Sequence, residues 1–368
     1  MLLLIIYSAT ILYPMDKYRI DSHKLIYHPK RVLDWFEGRD IYPIYIEIAP
    51  YGGCNHRCIF CALDYLGYKP VKIDTKTLKK FIDDIASKGV KSVMFAGEGE
   101  PLLNKDLPGL VRYTKEKGID VAITTNGVLL SKDISEKILP YLSWLRISFN
   151  AGTARTYSYV HGTDPEDFET VIKNLKEAVR IKNKWGCPST IGAQFLLLNE
   201  NYKEATLLAG ILKKIGADYL IVKPYSQHPL SINKLKITLD YKKLLFIEKR
   251  LDEYIGGGFD IIFRKNTMLK IVSEKPYKKC LGLPFWAYLA ANGDLYACSS
   301  FLGDKRFCYG NIYQKSFDKI WKGQKRKTIA YMIKYKWDIT NCREVCRLDE
   351  INRYLWELRN PSEHVNFI

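Results

Sequence analysis

Residues 44–61 read IYIEIAPYGGCNHRCIFC, an apolar stretch followed at once by a short loop that holds three cysteines. The apolar stretch at 44–49 predicts a β-strand. The loop has the spacing C-x3-C-x2-C, formed by Cys54, Cys58 and Cys61. Three thiolates on one loop suit three irons of a [4Fe–4S] cluster and leave the fourth iron without a protein ligand. An open metal position is typical of a catalytic site rather than a purely structural one.

A zinc ion is the alternative occupant of this loop. Structural zinc takes four ligands, and His56, inside the tight loop, is the only further candidate nearby. Gly52 and Gly53 allow a close backbone turn, and we expect Phe60 to shield a cluster from solvent. The spacing therefore favours an iron–sulfur cluster over zinc.

Strand-like and helical stretches alternate through the middle of the chain. Five more strands are predicted, at 92–96, 120–125, 144–149, 191–198 and 219–223. Helices are predicted between the strands, at 75–88, 107–117, 133–141, 165–184 and 203–214. Repeated β/α units imply a parallel sheet with right-handed crossovers. Six units predict an α/β fold with a partial, TIM-like (β/α)6 barrel, whose chemistry lies at the C-terminal ends of the strands.

Three regions are expected along the chain. Residues 1–43 form an N-terminal arm, residues 44–255 form the barrel core with a last helix at 237–254, and residues 256–368 form a small α+β domain. The first fourteen residues are apolar but too few to span a bilayer. We interpret Met15 as the biological start, with a membrane-surface anchor as the alternative.

Composition narrows the class of protein. The chain has 368 residues, and its 57 Lys+Arg against 40 Asp+Glu give a formal charge of 57 − 40 = +17. Hydrophobic residues at 47% exclude a disordered chain. The positive charge favours an acidic partner such as a phosphate, a nucleotide, a nucleic acid or a membrane surface. With no long apolar span, we expect a cytoplasmic protein, in which clustered cysteines indicate metal or redox chemistry.

A second cysteine set lies near the C-terminus. Cys280, Gly293 and Cys298 form C-x12-G-x4-C, and the Asn-Gly pair at 292–293 predicts a hairpin that brings the two cysteines together. Cys342 and Cys346 supply two more thiols. Four thiolates suit a second Fe–S cluster, and a four-thiolate zinc site is the alternative. Cys308 could replace one of these ligands, whereas Cys187 is interpreted as a plain thiol.

These motifs together resemble the radical S-adenosylmethionine (SAM) enzymes. The three-cysteine loop with Phe60 before its last cysteine is similar to their signature. Gly97-Glu98-Gly99-Glu100-Pro101 resembles their G-G-E-P motif, and 124–127 resembles T-N-G. Ser148-Phe149-Asn150 stands where many members carry Ser-x-Asp. By resemblance, SAM is bound by the following residues: Gly97, Gly99, Glu100, Pro101, Thr125, Asn126, Ser148 and Asn150, with Asn150 in the place of the ribose-binding acid.

The resemblance also implies an activity. Family members use a reduced cluster to cleave SAM into a 5′-deoxyadenosyl radical, which abstracts hydrogen from a C–H bond. The C-terminal region resembles the SPASM/twitch extension of the same superfamily, which binds auxiliary clusters. Residues 280–346 hold five of the seven cysteines of the full SPASM pattern, so we expect one auxiliary [4Fe–4S] cluster. Flavodoxin or ferredoxin is the expected electron donor.

The predicted substrate is an anionic small molecule. Relatives with one auxiliary cluster include enzymes that dehydrogenate, epimerise or dehydrate sugars, so a role in carbohydrate biosynthesis on a sugar or nucleotide-sugar is expected. Three residues after the sixth strand are the candidates for contacting it. Tyr225 and His228 could donate protons or hydrogen atoms, and Lys223 could pair with a phosphate or carboxylate.

Two other functions stay open. One is the modification of a peptide or a tRNA, although 53 residues before Cys54 leave little room for a peptide-binding domain and no RNA-binding module is found. We therefore expect no nucleic-acid partner. The other is an Fe–S protein that only binds or senses, against which the intact SAM motifs argue.

Overall fold

The structure is a computed structural model that describes residues 17–271 and 273–367. The expectations for Met15 and the residues before it lie outside this range. The arm contains helix α1 (Pro29–Phe36), which begins at a proline, as helices often do. Within the described residues, no helix has the length and apolar character needed to cross a membrane.

Six strands form the centre of the sheet, at the places that the sequence predicts. They are β1 (Tyr45–Ile48), β2 (Ser92–Phe95), β3 (Asp120–Thr125), β4 (Trp144–Ser148), β5 (Thr190–Leu197) and β6 (Tyr219–Pro224). Neighbouring strands pair in parallel, in chain order. The intervening helices are α2 (Thr75–Ser87), α3 (Leu107–Glu116), α4 (Lys132–Ile138), α5 (Ala154–His161), α6 (Glu166–Trp185) and α7 (Ala205–Ile215). The predicted parallel α/β architecture is confirmed.

The two faces of the sheet differ in character. On β4, Leu145 and Ile147 are fully buried in the main core beneath the helices. The alternate residue Arg146 is only half-buried and belongs to the opposite, inner face. There, Met94 and Ala122 form a separate apolar cluster with neighbours on other strands. The helices therefore cover the outer face, and the inner face lines the interior of the partial barrel.

The predicted helix at 237–254 is too long. The structure has only α8 (Phe246–Asp252), which follows a short 3-10 turn. Upstream, the Tyr241 hydroxyl accepts from the Tyr225 amide at 3.0 Å and donates to the Leu197 carbonyl at 3.3 Å. The Asn199 side chain also donates to the Lys236 carbonyl at 2.8 Å and accepts from the Thr238 amide at 3.2 Å, so backbone groups of this segment bond outside it and not along a helix.

The sheet continues beyond the six predicted strands. Strand β7 (Asp260–Phe263) pairs in parallel with β6 and is followed by α9 (Lys265–Lys270). On the other side, β8 (Trp286–Leu289) pairs in parallel with β1. Antiparallel strands β9 (Asp294–Tyr296) and β10 (Cys308–Asn311) complete a ten-stranded sheet of order β10-β9-β8-β1-β2-β3-β4-β5-β6-β7. The sheet is open, so the barrel is a partial one.

The C-terminal region thus combines strands and helices. The hairpin predicted at Asn292-Gly293 is confirmed by the pairing of β8 with β9, and Gly293 takes a φ of +86° there. The remaining helices are α10 (Phe317–Trp321), α11 (Gln324–Tyr335) and α12 (Asp349–Arg359). Because β8 joins β1, this region lies beside the first strand and the cysteine loop that follows it.

Candidate functional site

The cysteine loop that follows β1 is fixed against the end of α5. The Arg57 amide donates to the His161 carbonyl at 3.0 Å, and the Ile59 amide donates to the Val160 carbonyl at 3.0 Å. Gly162 ends the helix with a φ of +57°, and a Cβ there would lie 2.4 Å from the Arg57 carbonyl oxygen. The loop backbone therefore has a rigid support.

The three thiols of this loop lie close enough to interact. The thiols of Cys54 and Cys61 act electrostatically on that of Cys58, and all three cysteines are free. Burial raises the pKa of Cys54 to about 11 and raises the pKa of Cys58 and Cys61 as well. Three neighbouring thiols with no further cysteine beside them fit a three-thiolate cluster site, and binding would release their protons.

Two histidines approach the same loop. One ligand atom each of His56, Cys58 and His161 lies within 4.8 Å of the others, a spacing that could hold a metal ion. His56 Nε2, however, lies 3.3 Å from an Asp167 carboxylate oxygen. A zinc ion on these three residues would leave Cys54 and Cys61 without a role. A cluster held by the three thiolates would use all three cysteines of the loop.

His161 is a site residue that the sequence did not indicate. Its Nδ1 lies 3.3 Å from Cys58 Sγ, and its Nε2 lies 2.9 Å from the Phe149 carbonyl oxygen. Burial lowers the pKa of His161 to about 3, so the ring is neutral. The two partners are 103 residues apart along the chain, and no local spacing relates them.

The glycine-rich turn after β2 packs directly on the cysteine loop. The Glu100 amide donates to the Gly53 carbonyl at 2.8 Å. A Cβ on Gly99 would lie 2.0 Å from that carbonyl oxygen and 2.7 Å from the Gly52 carbonyl carbon. Pro101 begins the 3-10 turn that follows and is buried. Only glycine fits at 99, because backbone atoms meet there.

Glu100 joins this turn to the one after β3. Its buried carboxylate accepts from Thr125 Oγ1 at 2.6 Å and from the Asn126 amide at 2.8 Å. Burial raises the pKa of Glu100, and these hydrogen bonds act in the opposite direction. Asn126 also donates to the Asn55 side chain at 2.7 Å, back on the cysteine loop. Three predicted SAM motifs therefore meet at one edge of the sheet.

The turn at 97–101 also contacts the C-terminal hairpin, which the sequence did not reveal. Glu98 accepts from the Ala291 amide at 3.2 Å, and burial raises the pKa of its carboxyl to about 7. Gly97 has a φ of +117°, and a Cβ there would lie 2.2 Å from the Tyr288 hydroxyl. Glu98 and Glu100 lie two residues apart in the same motif, and the sequence does not indicate that Glu98 faces the C-terminal hairpin.

The residues predicted to contact the ribose lie after β4. Ser148 is half-buried at the end of the strand. Asn150 is fully buried with a φ of +52°, and its side-chain oxygen accepts from the Leu196 amide at 2.9 Å. Its Nδ2 has no hydrogen-bond partner among the described residues. A ribose contact by Asn150 stays a prediction and would use this amide group.

The candidates after β6 lie on the same side of the sheet as the cysteine loop. Tyr225 packs in an apolar cluster with Phe60, which also makes an edge contact with His161. His228 stacks on Tyr65 at 5.3 Å, and burial lowers its pKa to about 4. Lys223 is half-buried on β6, and burial followed by neighbouring cations lowers its pKa well below the usual range. Their catalytic roles stay predictions.

Four C-terminal cysteines gather into a second set. The Cys280 thiol interacts electrostatically with those of Cys346, Cys298 and Cys342, and burial raises the pKa of all four. This donor set fits a fully protein-ligated cluster. Asn352, which the sequence did not indicate, holds the Cys280 turn, because its buried oxygen accepts from the Leu281 and Gly282 amides at 2.7 and 2.8 Å.

The two remaining cysteines differ in their surroundings. Cys308 is buried on β10, where its thiol contacts the Gly310 carbonyl at 3.6 Å. Its strongest electrostatic neighbours are Asp294, Lys325 and Lys305 rather than other cysteines. Cys187 follows the end of α6 and is partly exposed. The four-cysteine set without Cys308 is thus the better supported ligand group.

Two parts of the chain match known families. Residues 48–206 match the Radical SAM superfamily, and residues 280–347 match the iron-sulfur cluster-binding domain called SPASM. The chain belongs to the radical SAM superfamily. The first match contains the cysteine loop and the SAM motifs, and the second contains the four-cysteine set of this radical SAM protein.

Individual relatives agree with this assignment. The chain is 24% identical over 325 residues to the tungsten-containing aldehyde ferredoxin oxidoreductase cofactor-modifying protein of Pyrococcus furiosus, covering 79% of this chain and 83% of that protein. It is 27% identical over 240 residues to a probable GTP 3′,8-cyclase of Saccharolobus solfataricus, covering 63% and 68%. The crystal structure of Streptococcus suis SuiB bound to S-adenosylmethionine matches with a TM-score of 0.66 at 19% identity, covering 92% and 79%. The SuiB likeness shows the fold.

Proposed function

We propose that this radical SAM protein cleaves SAM reductively and uses the resulting 5′-deoxyadenosyl radical to abstract hydrogen from an anionic small molecule inside the partial barrel. One observation carries the proposal: the cysteine loop, the turn at 97–101 and the turn at 125–126 are joined by direct hydrogen bonds at one sheet edge. Cys54, Cys58 and Cys61 would hold the reduced cluster, which would supply the electron for this cleavage.

The chain's own residues position SAM and keep the site ordered. Glu100 holds Thr125 and Asn126 in place, so the turn at 125–126 presents a fixed surface beside the cysteine loop. The close contact of Gly99 with Gly53 sets the distance between the two turns. Such preorganisation lets the protein supply position and electrostatics while the cofactor carries the difficult step.

A long segment after β6 covers the cysteine loop and limits the access of water. The Asp64 carboxylate accepts from the Ile232 amide at 3.0 Å and the Asn233 amide at 2.8 Å. Ser231 donates to the Cys61 carbonyl at 3.2 Å. Together with the apolar cluster around Phe60 and Tyr225, this segment would protect a reactive radical from solvent.

The substrate class rests on charge and on the named relatives. A net charge of +17 suits an anionic substrate and an acidic flavodoxin or ferredoxin donor. The relatives named for a GTP cyclase and for cofactor modification support a small-molecule substrate, and GTP is itself an anion. A nucleotide-sugar is the narrower form of this proposal, supported by the charge alone.

The direct test is SAM cleavage by the anaerobically reconstituted protein. With dithionite, and then with reduced flavodoxin or ferredoxin, the parent should form 5′-deoxyadenosine, measured by chromatography. Cys58→Ala should abolish the product, whereas Cys187→Ala, outside both thiol sets, should leave it unchanged. A fully iron-loaded parent that forms no 5′-deoxyadenosine would refute the proposal.

A further inference from the structure

Two cationic side chains, Arg146 on β4 and Lys223 on β6, occupy inward-facing positions of the sheet, where they alternate with buried core residues. Lys223 on β6 interacts electrostatically with Arg146, Arg264, Arg343 and Arg347. Arg146 belongs to the inward-facing residues of β4, and Arg264 directly follows β7. Strands four, six and seven thus bring positive charge into one interior region.

Carboxylates offset only part of this charge. Glu47 pairs with Arg347 at 2.7 Å, and Asp21 pairs with Arg264 at 3.4 Å. Within residues 17–271 and 273–367, no ion pair is formed by Arg146, Lys223 or Arg343. An unpaired charge in a partly desolvated interior is unfavourable, so Arg146, which cannot lose its proton, is stabilised by an anion from elsewhere. An anion beside Lys223 would favour the charged form of that side chain, whose pKa burial lowers.

Arg343 has an explanation within the chain. It follows Cys342 in sequence and donates to the Ser226 carbonyl at 2.7 Å and the Ser226 hydroxyl at 2.9 Å. A thiolate-ligated cluster beside it would carry negative charge. Arg146 and Lys223 have no cysteine among their main electrostatic neighbours, so the clusters do not account for them.

Arg146 is only partly satisfied by polar partners. Its guanidinium donates to Thr124 Oγ1 at 3.3 Å and lies over the Trp144 ring at 4.8 Å. Its Nε is buried and has no hydrogen-bond partner among the described residues. Because Arg146 and Lys223 are both half-buried, a ligand inside the barrel can reach them. A guanidinium group can also donate two parallel hydrogen bonds to two oxygens of one phosphate or carboxylate.

We propose that Arg146 and Lys223 form an anion-binding subsite for the phosphate or carboxylate groups of a multiply charged substrate. This inference rests on the proposed function for the reaction that follows, but anion binding itself needs no radical chemistry. It assigns the anionic end of the substrate to the inner face at β4 and β6.

Titration calorimetry with inorganic pyrophosphate and, separately, with citrate tests the subsite and distinguishes phosphate from carboxylate ligands. The reconstituted holoprotein is used with saturating SAM. Arg146→Gln and Lys223→Gln should each weaken binding of the preferred anion by about tenfold to hundredfold. The control Arg112→Gln removes an exposed cation paired with Glu116 and should leave binding unchanged.

Thermal unfolding of the same proteins separates lost binding from misfolding. Because neither side chain forms an ion pair among the described residues, the melting temperature of each variant without anion should stay close to that of the parent. The preferred anion should raise the melting temperature of the parent and not that of Arg146→Gln.

Three results would overturn the proposal: no saturable binding of either anion by the parent, binding by both interior variants as tight as that of the parent, or displacement of the anion by SAM. The last result would assign the cations to the SAM carboxylate. Formation of 5′-deoxyadenosine is measured on the same preparations. A parent that binds the anion but does not cleave SAM would refute the proposed function alone, and the reverse would refute the subsite alone.

Discussion

Gly99→Ala tests the contact that joins the SAM motif to the cysteine loop. The added Cβ would lie 2.0 Å from the Gly53 carbonyl oxygen and 2.6 Å from the carbonyl carbon. A normal carbon–oxygen contact is about 3.3 Å, so the two turns must separate by about 1.3 Å. Both neighbours are backbone atoms, and neither can rotate away as a side chain would.

The expected cost has two sources. Overpacking at a rigid contact costs about 1–3 kcal/mol. The separation also breaks the hydrogen bond from the Glu100 amide to the Gly53 carbonyl, 2.8 Å long in the parent, which contributes about 1 kcal/mol. We therefore expect Gly99→Ala to lower the free energy of unfolding by about 2–4 kcal/mol. Since Gly53 adjoins Cys54, iron bound at this loop should fall as well.

Gly109→Ala is the matched control. Gly109 lies in α3, and nothing lies within 4 Å of a Cβ built there. Alanine in this helix should stabilise the protein by about 0.5–1 kcal/mol. Urea unfolding of the metal-free, reduced proteins measures both effects, and iron analysis after reconstitution follows the loop. If Gly99→Ala unfolds within about 0.5 kcal/mol of the parent and retains full iron, the packing argument is wrong.

Three further predictions concern the auxiliary set and the segment after β6. Cys280→Ala combined with Cys298→Ala should lower bound iron from about eight to about four per chain, whereas Cys308→Ala should not; unchanged iron in the double variant would contradict the auxiliary assignment. Asn352→Ala leaves the Leu281 and Gly282 amides unsatisfied and should cost about 2–4 kcal/mol in urea unfolding, while the exposed control Asn360→Ala should cost little. Burial lowers the pKa of His228 to about 4, so the unfolded chain binds a proton below about pH 6.5 that the folded chain does not. The free energy of unfolding should therefore fall as the pH drops from 7 to 5. In His228→Gln this fall should be smaller by about 1 kcal/mol, a figure that allows for solvent screening. Equal pH profiles of the two proteins would show that His228 is not the group responsible.

The sequence predicted the parallel core well because its signals are local. Helix α2 carries Leu78, Phe81, Ile82 and Ile85 on one face, and all four are buried. The same kind of signal failed at 237–254, where apolar residues at helical spacing instead follow the strand ends. Around the start of this range, backbone groups of Lys236 and Thr238 bond to the Asn199 side chain, which follows β5, and these bonds replace helical ones.

The extra strands show a second limit. Strand β8 pairs with β1 although about 240 residues separate them, and it brings Tyr288 and the Ala291 amide to the turn at 97–101. The short apolar run 286–289 does not indicate which strand it pairs with. A pairing of this kind depends on the shape of the completed sheet.

Sequence alone determined which chemistry the chain can hold, because thiol spacing and glycine-rich turns act within a few residues of one another. The cysteine loop and each SAM motif are local patterns of this kind, and the second cysteine set consists of two such local pieces, 280–298 and 342–346. Only the tertiary structure placed His161 against Cys58, Glu98 against the C-terminal hairpin, and Arg146 and Lys223 on one inner face. These partners come from separate strands and helices, so their meeting is decided by the packing of the whole sheet, which no local pattern encodes.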